Sequence, residues 1–497
     1  MASAGSVLVS VVRLSGELLV EAAIGHQSSF QQVFDGLPHQ EGCFVLVAPT
    51  GALVTPSTTV SDIAELPNDC LVLTAIAHTV VSVVSARCAF AVLTSSGSVV
   101  AWGDTDTGGD ASGVHKQLLS GISRVYANDF AFAAIKDGSV VTWGMPAAGG
   151  DSSSVRSDLC GVREIFSTRL SFVALKDDGS LTAWGNPGFG GELPHVLQSV
   201  RSVRTVSATA SAFAALTTAG CLHVWGNPSN GGSPADMAVD LSDPVAQVYA
   251  SQRAFAAVRL DGSVVCWGSD NATSGFAKVQ QKLSEAGVQQ IVSSAMAFAA
   301  LTVSGHVISW GASGYGADSS RETEQLFDVV KIFSNEMAFA ALKRDGSVVP
   351  WGGHYKDLDL TRIRHHLCGV EHVVAASLAF AALKRDGTVV TWGHPNRGGD
   401  SSAVAEQLVG VKRICGADNA FAAVTKSGSV VTWGVQNQGW TTPSASLKNV
   451  QAVFSTCNAF LAVKYDGSVV AWGGSRSGGN ATPVRHQLQV CDCLPRW

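Results

Sequence analysis

The densest group of residues that could bind a metal lies in the second half of the chain. It combines guanidinium, imidazole and thiol side chains, at Arg362, Arg364, His365, His366, Cys368 and His372. A structural zinc site needs four converging nitrogen or sulfur ligands. Cys368, however, belongs to a Leu-Cys-Gly-Val segment that recurs around Cys160, which indicates a role in packing. We therefore predict no metal here, and interpret the cluster as a positive surface patch that binds an acidic partner.

Three other groups have residue types suited to binding. The aspartates of residues 104–110 are spaced like the ligands of a calcium loop, but the later bidentate glutamate is missing, so a repeat turn is expected. His486 with Cys491-x-Cys493 is also ligand-like, and we interpret it as a tail with spare thiols. Trp440 falls outside the register of the repeated tryptophans. It is either an aromatic anchor for a partner or a plug over the core.

Motifs for catalysis are missing from this sequence. It has no phosphate-binding loop, no Gly-x-Ser-x-Gly segment and no His-Glu-x-x-His segment. Serine, histidine and aspartate are abundant, but nothing in their spacing places them together. We expect a protein that is not an enzyme and that carries no cofactor.

Composition limits the class of protein further. Only 14% of the residues are charged and the net charge is −6, which argues against a general nucleic-acid binder. No apolar run reaches the roughly 18 residues that a membrane span requires. The eleven cysteines are odd in number and irregularly spaced, and no secretory signal is visible at the start. We expect reduced, mostly buried thiols in a protein of the cytoplasm or nucleus.

Tandem repeats are the elements that must position these residues. The dipeptide Trp-Gly recurs ten times at intervals of 39–43 residues, at Trp102, Trp143, Trp184, Trp225, Trp267, Trp310, Trp351, Trp392, Trp433 and Trp472. A well-kept copy reads AFAALKRDGSVVPWG, at 338–352. Two apolar runs around an Asp-Gly turn predict a β-hairpin, and a third short strand precedes each pair. Both faces are apolar, so we expect alanines to let neighbouring sheets approach while Phe and Trp fill the wider gaps.

The pattern Leu-x-x-Asp-Gly-x-Val-x-x-Trp-Gly resembles the repeats first seen in the regulator of chromosome condensation. The resemblance covers about four-fifths of the chain. It implies a mainly β fold, with ten three-stranded repeats of about 41 residues forming a β-propeller or an open propeller-like array over residues 79–490, followed by a tail at 491–497. Propellers typically have 4–8 blades, so ten copies imply either an unusually wide ring or an array that does not close.

Residues 1–78 lack the repeat and contain one arginine against seven acidic residues. Their pattern predicts the order β-β-α-β-β, with strands at 6–14, 17–24, 44–48 and 71–76 and a helix at 30–37. This order, with Val60-Ser61-Asp62-Ile63-Ala64 before the last strand, resembles a small α+β ubiquitin-like β-grasp domain. The segment has no Gly-Gly end after Ile76 and no lysine, so the resemblance implies a docking module with an exposed apolar patch around Leu46.

Together the two parts predict a non-catalytic scaffold or adaptor. The repeat body would bind one protein, and the head would dock a second, such as ubiquitin or proteasome machinery. One alternative is an exchange factor for a small GTPase, which the same resemblance includes, although no long insertion offers a wedge. Another is an accessory subunit of a ubiquitin ligase. The chain ends at Trp497, soon after the last repeat, so we expect it not to be a ligase by itself.

Overall fold

The structure is a computed structural model in which one five-stranded sheet precedes ten three-stranded sheets. It describes residues 6–13, 18–25, 28, 30, 33, 43–47, 53–54, 60, 70–78, 80–233, 243–353, 363–434, 447–465 and 467–488. All structural statements below refer to these residues.

The N-terminal sheet has the strand order β2-β1-β5-β3-β4. Its strands are β1 (Ser6–Arg13), β2 (Leu18–Gly25), β3 (Cys43–Val47), β4 (Leu53–Val54) and β5 (Cys70–His78). The central strands β1 and β5 run parallel, and the other pairs are antiparallel. Alternate residues of β1 face opposite sides, so Val9 and Val11 are buried while Leu8 is 39% exposed. Phe30 and Val33 belong to the same core.

Each three-stranded sheet is an antiparallel meander with its second strand in the middle. We number these sheets 1 to 10 along the chain. The first strands are Val80–Ser85, Ile122–Ala127, Val162–Ser167, Val203–Ala208, Val245–Ala250, Val288–Ser293, Val329–Ser334, Val370–Ala375, Val411–Gly416 and Val450–Ser455. The second strands are Ala89–Thr94, Ala131–Lys136, Ser171–Lys176, Ala212–Thr217, Ala254–Arg259, Ala297–Thr302, Ala338–Lys343, Ala379–Lys384, Ala420–Thr425 and Ala459–Lys464. The third strands are Val99–Gly103, Ser139–Gly144, Leu181–Gly185, Leu222–Gly226, Val264–Gly268, Val307–Gly311, Val348–Gly352, Val389–Gly393, Val430–Gly434 and Val469–Gly473.

Short helical turns connect the sheets. The 3-10 turns are Thr105–Thr107, Ser112–Gln117, Pro146–Ala148, Ser153–Asp158, Pro187–Phe189, His195–Leu197, Pro228–Asn230, Ser313–Tyr315, Thr323–Gln325, Pro395–Arg397, Ser402–Gln407, Ser475–Ser477 and Thr482–Val484. Three α-helices are described: α1 (Asp270–Thr273), α2 (Phe276–Ala286) and α3 (Arg485–Leu488). Helices α1 and α2 replace the usual Gly-Gly loop after sheet 5. No described helix combines the length and apolar character needed to cross a bilayer.

The second repeat, which is one residue shorter than the others, shows how the hairpin turn adapts. Its strands end at Lys136 and resume at Ser139, which leaves a two-residue turn. Asp137 and Gly138 both have positive φ, at 49° and 74°. Such a turn matches the twist of the flanking strands, so the deletion leaves the strand register intact.

Packing between sheets follows from the alternation along the second strand. In sheet 1, Ala89, Ala91 and Leu93 face sheet 2, where they meet Phe132 and Trp143. Every neighbouring pair has an equivalent cluster, in which the small residues of one sheet receive the aromatic rings of the next. The expectation that alanines allow close approach while Phe and Trp fill the gaps is confirmed.

The array closes into a ring, a question that the sequence had left open. Phe90 and Trp102 of sheet 1 pack against Ala459 and Leu461 of sheet 10, which makes the tenth cluster of the same kind. The Trp102 indole Nε1 donates to the Gly478 carbonyl at 2.9 Å, and the Trp143 indole donates to the Gly108 carbonyl at 3.0 Å. The interface between the last and first sheets therefore has the same geometry as one inside the array.

Candidate functional site

The residues singled out from the sequence do not converge on one site. His365 and His366 are exposed, and Arg364 lies beside Glu322, with 3.6 Å between Nη2 and Oε1. Burial raises the pKa of Glu322, and Arg364 opposes that rise. Arg362 and Trp440 lie outside the described residues. Within the described part of the chain, no group of three or more His, Cys, Asp or Glu side chains is arranged to hold a metal ion.

The predicted packing role of Cys368 is wrong, because its side chain is exposed. In the Leu-Cys-Gly-Val segment it is Leu367 that is buried, at 1% exposure. Cys160 is exposed in the same way, beside the buried Leu159. The expectation of mostly buried thiols also fails, because three of the seven cysteines whose side chains are described are exposed and only two are buried.

Leu46 does not form an exposed patch on the N-terminal sheet. It is fully buried in that sheet's core, so the prediction of its exposure is wrong. In β3 it pairs with Ala75 of β5 and Val54 of β4, and its side chain lies on the covered face. The large apolar residues described as exposed in this sheet are Leu8, Leu18 and Val72, at 39%, 55% and 49% exposure.

The aspartates of residues 104–110 cap turns of their own loop. Asp104 Oδ1 accepts a hydrogen bond from the Asp106 backbone N–H at 2.9 Å, and Asp110 Oδ1 accepts one from the Ser112 N–H at 2.8 Å. This bond holds the pKa of Asp110 below its usual value. The interpretation of this loop as a repeat turn is confirmed.

The centre of the ring is the place where all the sheets come together. The first strands of neighbouring sheets approach one another, and serine hydroxyls link several of them. Ser293 Oγ donates to the Ala250 carbonyl at 2.7 Å, and Ser455 Oγ donates to the Gly416 carbonyl at 2.8 Å. Because sheets arranged as spokes are closest together near the axis, the first strands form the innermost wall.

At one end of this wall, the turns between first and second strands form a circle. We call its members the turn ring: Arg87, Asp129, Arg169, Ala210, Gln252, Ala295, Glu336, Ser377, Asp418 and Cys457. In nine of the ten steps, a backbone N–H donates to the carbonyl of the next member, at 2.9–3.3 Å. At the remaining step, Arg169 Nε donates to Asp129 Oδ2 at 2.7 Å. The bond from Cys457 to Arg87 completes the circle.

The turn ring surrounds an opening of about 760 Å³. If its members are spaced like hydrogen-bonded strands, about 4.8 Å apart, the circle is roughly 15 Å across between backbones. Three carboxylates and two guanidinium groups lie on it, and they are close enough to interact. Burial raises the pKa of Asp418, Glu336 raises it further, and Arg87 opposes the rise.

The other end of the channel, where the first strands begin, carries a net positive charge. The ten first strands contain six lysines and arginines against two glutamates. We call the six exposed cations the basic band: Arg124, Arg163, Arg204, Lys331, Lys412 and Arg413. Arg163 Nη2 donates to the Arg204 carbonyl at 3.3 Å, and Arg204 Nη2 donates to the Ala246 carbonyl at 2.7 Å. These side chains therefore extend along the inner wall from one sheet to the next.

The basic band forms two arcs on opposite sides of the channel. One arc has one cation in each of sheets 2–4, and the other has Lys331 in sheet 7 and Lys412 and Arg413 in sheet 9. In the second arc, Lys331 Nζ lies 4.9 Å from the ring centroid of Phe333, whose edge-to-face neighbour is His372. Burial lowers the pKa of His372, and Lys331 lowers it further. His372 is therefore neutral near pH 7, and the positive charge comes from the lysines and arginines.

The basic band is not among the residues predicted from the sequence. Each of its members is the second or third residue of a first strand, so they occupy nearly the same position in each repeat. That regularity could have revealed them, but only with the knowledge that the first strands lie at the centre. Residue spacing along the chain contains no information about which strand is innermost.

Comparison with known proteins shows similarity to solved structures in fold only. No protein-family model and no curated protein matches this chain. The structure of Prp20p from Saccharomyces cerevisiae is 16% identical with a TM-score of 0.34, over 64% of this chain and 83% of that one. Yeast RCC1 (Prp20) bound to Kap60 is 14% identical with a TM-score of 0.30, over 46% and 70%. The CRINKLY WD40 ectodomain of the Arabidopsis thaliana receptor kinase ACR4 is 17% identical with a TM-score of 0.33, over 55% and 97%. Because these TM-scores are low, we assign the fold from the sheets of this chain itself.

Proposed function

We propose that the protein is a non-catalytic scaffold whose ten-repeat body is a propeller of the chromosome-condensation-regulator type. Its repeat body binds an acidic segment of a protein partner at the basic band. The observation that carries this proposal is the difference in net charge along one channel, with six cations against two glutamates on the first strands and three carboxylates against two guanidinium groups on the turn ring. A charged patch on a rigid frame steers and orients a partner of opposite sign.

The geometry favours a peptide over a nucleic acid. Two basic arcs facing each other suit a narrow chain that enters the channel and contacts both sides. A polyanion long enough to pass through would meet the turn ring, where three carboxylates outnumber two guanidinium groups. An acidic segment that ends inside the channel avoids that repulsion.

Binding of a fluorescent acidic peptide, such as twelve glutamates, tests the proposal on the full chain. We expect saturable binding that weakens as salt rises, because exposed charges are screened. A basic-band variant replaces three cations with glutamine, at Arg204, Lys412 and Arg413. We expect it to bind about tenfold more weakly, since each exposed ion pair contributes roughly 0.5 kcal/mol.

The matched control removes the same charge elsewhere, with glutamine at the exposed Lys116, Lys278 and Lys282. If the control variant bound the peptide equally weakly, net charge alone would explain the loss of affinity, which would contradict the proposal. Tighter binding of single-stranded DNA than of the peptide would also contradict it, and would assign the basic band to nucleic acid.

We further propose that residues 1–78 form a ubiquitin-like head that docks a second protein. The strand order β2-β1-β5-β3-β4, with a parallel central pair, supports this assignment. Leu8 and Val72 lie on adjacent strands of the exposed face, where Ser10 is the direct partner of Val72. They replace Leu46 as the apolar contact that we expect to meet ubiquitin or proteasome machinery.

A pull-down with the full chain tests the head. The double variant Leu8→Glu and Val72→Glu should abolish capture of ubiquitin chains or proteasomes, because a charge would have to be buried in the contact. Glutamate at Val196, which is 69% exposed in the repeat body, is the control and should leave capture unchanged. Capture that survives the Leu8 and Val72 changes would contradict the docking role.

We also propose a location in the cytoplasm or nucleus. The seven cysteines whose side chains are described are free thiols, as in proteins of reducing compartments. The exchange-factor alternative is tested by nucleotide release from a panel of small GTPases. Accelerated release by the full chain would replace the scaffold proposal.

A further inference from the structure

The ring has one interface that no connecting segment of the chain bridges. Nine interfaces join sheets that follow one another in sequence, but sheet 10 meets sheet 1 only through non-covalent contacts. These include the bond from the Cys457 N–H to the Arg87 carbonyl at 2.9 Å and the bond from the Trp102 indole to Gly478. We call this interface the seam. It is the place where the ring can open without breaking the chain.

Two cysteines face each other across the seam. Cys88 Sγ and Cys457 Sγ lie 3.0 Å apart, although 369 residues separate them in sequence. Both are free, Cys457 is buried and Cys88 is half-buried. Disulfide bonding requires about 2.05 Å between the sulfurs, so an approach of roughly 1 Å is sufficient.

This pair of cysteines has no equivalent in the other repeats. It lies at the one interface where a covalent link would close the ring. Cys457 is a member of the turn ring, and Cys88 follows the turn-ring member Arg87. The residues that follow the other members are Phe130, Leu170, Ser211, Arg253, Met296, Met337, Leu378, Asn419 and Asn458. No other turn has a cysteine at either position, so repeat packing does not explain the pair.

The surroundings favour reaction at Cys88. A hydrogen bond with Cys457 lowers the pKa of Cys88 to about 6, against the effect of burial, and Ser477 and Arg87 contribute in the same direction. The same contact, together with burial, raises the pKa of Cys457. Cys88 is therefore the thiolate that reacts first, and Cys457 is the thiol that reacts second. Arg87 and Cys457 line the central opening, which gives a small reagent a path to the pair.

We propose that Cys88 and Cys457 are a reversible redox site, which a small disulfide such as oxidised glutathione converts into a covalent closure of the ring. The Cys88 thiolate attacks one sulfur of glutathione disulfide and releases one glutathione thiolate. Cys457 then loses its proton and attacks the Cys88 sulfur of the mixed disulfide, which releases the second glutathione. Two protein thiols are oxidised to one disulfide, and one glutathione disulfide is reduced to two glutathiones.

The closure constrains almost the entire repeat body. A cross-link stabilises the folded state more as the loop that it closes becomes longer, and this loop runs from the turn of sheet 1 to the turn of sheet 10, with sheets 2–9 entirely inside it. Oxidation should therefore raise the melting temperature and prevent opening at the seam. Reduction should restore a ring held at the seam by packing and hydrogen bonds alone.

The test treats the folded full chain with oxidised glutathione or with a reductant. The exposed Cys160, Cys221 and Cys368 are first changed to serine, so that their oxidation does not interfere. We expect a non-reduced digest to contain a peptide linked through Cys88 and Cys457, and the melting temperature to rise by about 5 °C on oxidation.

Three further variants complete the test. Cys88→Ser and Cys457→Ser should each melt near the reduced parent and show no rise with glutathione disulfide. The control is Cys415→Ser, at a half-buried thiol that contacts Ser455, and it should retain the full rise. A stable glutathione adduct on Cys88 without the linked peptide would overturn the proposal, as would a linked peptide whose formation leaves the melting temperature unchanged.

Discussion

The residue that defines the repeat, tryptophan, has two contacts in most sheets. Its ring packs on the phenylalanine directly opposite in the second strand, with ring centroids 5.1–5.4 Å apart. Its indole nitrogen donates to the carbonyl of a glycine in the preceding loop, as Trp184 does to Gly149 at 3.0 Å. Trp310 differs, because helices α1 and α2 replace that loop, and it donates to Cys266 Sγ at 3.4 Å. The repeated Trp therefore joins one sheet to the loop of its neighbour.

Gly190 provides a direct test of this contact. Its φ is +87°, and a Cβ atom there would lie 2.6 Å from Cδ2 of Phe213. We expect Gly190→Ala to lower the free energy of unfolding by about 2–3 kcal/mol, from backbone strain and displacement of the buried ring. Urea denaturation measures the change.

Gly113→Ala is the matched control, because nothing lies within 4 Å of the added carbon and the glycine has no positive φ. A stability equal to that of the parent is expected. If the two variants lost the same stability, the contact between the loop and the ring would not be the cause.

At the scale of the element, the hairpin turn contains a repeated carboxylate contact. Asp345 Oδ1 accepts hydrogen bonds from the Ser347 hydroxyl at 2.6 Å and the Ser347 N–H at 2.8 Å. Asp386 accepts the same pair from Thr388. The hydroxyl first, and then the N–H, lower the pKa of both aspartates. The turn therefore stabilises the charged form of its own aspartate.

This contact predicts loss of stability in acid. A carboxyl whose pKa is lower in the folded state contributes stability above its unfolded pKa of 3.8, and that stability is lost as the pH falls through the folded value. We expect the free energy of unfolding to fall below about pH 4 and to be nearly constant from pH 5 to 7. Denaturation in urea at several pH values measures the slope.

Asparagine at Asp345 should reduce that slope, because the group no longer titrates. Asparagine at Asp177 is the comparison, because in that turn it is Asp178 that accepts the two hydrogen bonds from Ser180. A slope that is unchanged in the Asp345 variant would show that other groups cause the acid lability.

At the scale of the whole molecule, closure makes the first and last sheets neighbours. The Phe90–Trp102 pair has its rings 5.4 Å apart and tilted by 33°, and the Phe460–Trp472 pair has nearly the same arrangement. Because the seam repeats the packing of the other interfaces, every sheet is covered on both faces and none is terminal. A closed ring avoids the capping repeats that open arrays require.

Two tryptophan variants distinguish a closed ring from an open one in solution. Trp102→Phe removes the indole bond across the seam, and Trp143→Phe removes the equivalent bond between sheets 1 and 2. In a closed ring, each should cost about 1–2 kcal/mol and lower the melting temperature equally. A Trp102 variant that melts like the parent while the Trp143 variant is destabilised would indicate that the seam is open.

Local patterns predicted the strands well and the exposed sites poorly. Hairpins depend on a few adjacent residues, and the strand predicted at 6–14 is observed as Ser6–Arg13. The face of a strand depends on its partners in the sheet, so Leu46 was expected on the surface and lies in the core. The same holds for Cys368, whose exposure depends on which residue of its segment fills the gap between sheets.

The order of strands, the turns and the register of every hairpin are encoded within single repeats of this chain, because each involves contacts over a few residues. Closure is different, because it depends on the angle between sheets accumulated over ten interfaces, and a small change at each would leave the ends apart. Only the folded molecule brings Cys88 to Cys457 and arranges the cations of distant repeats around one opening. Contacts between residues hundreds of positions apart leave no spacing in the sequence from which they could be recognised.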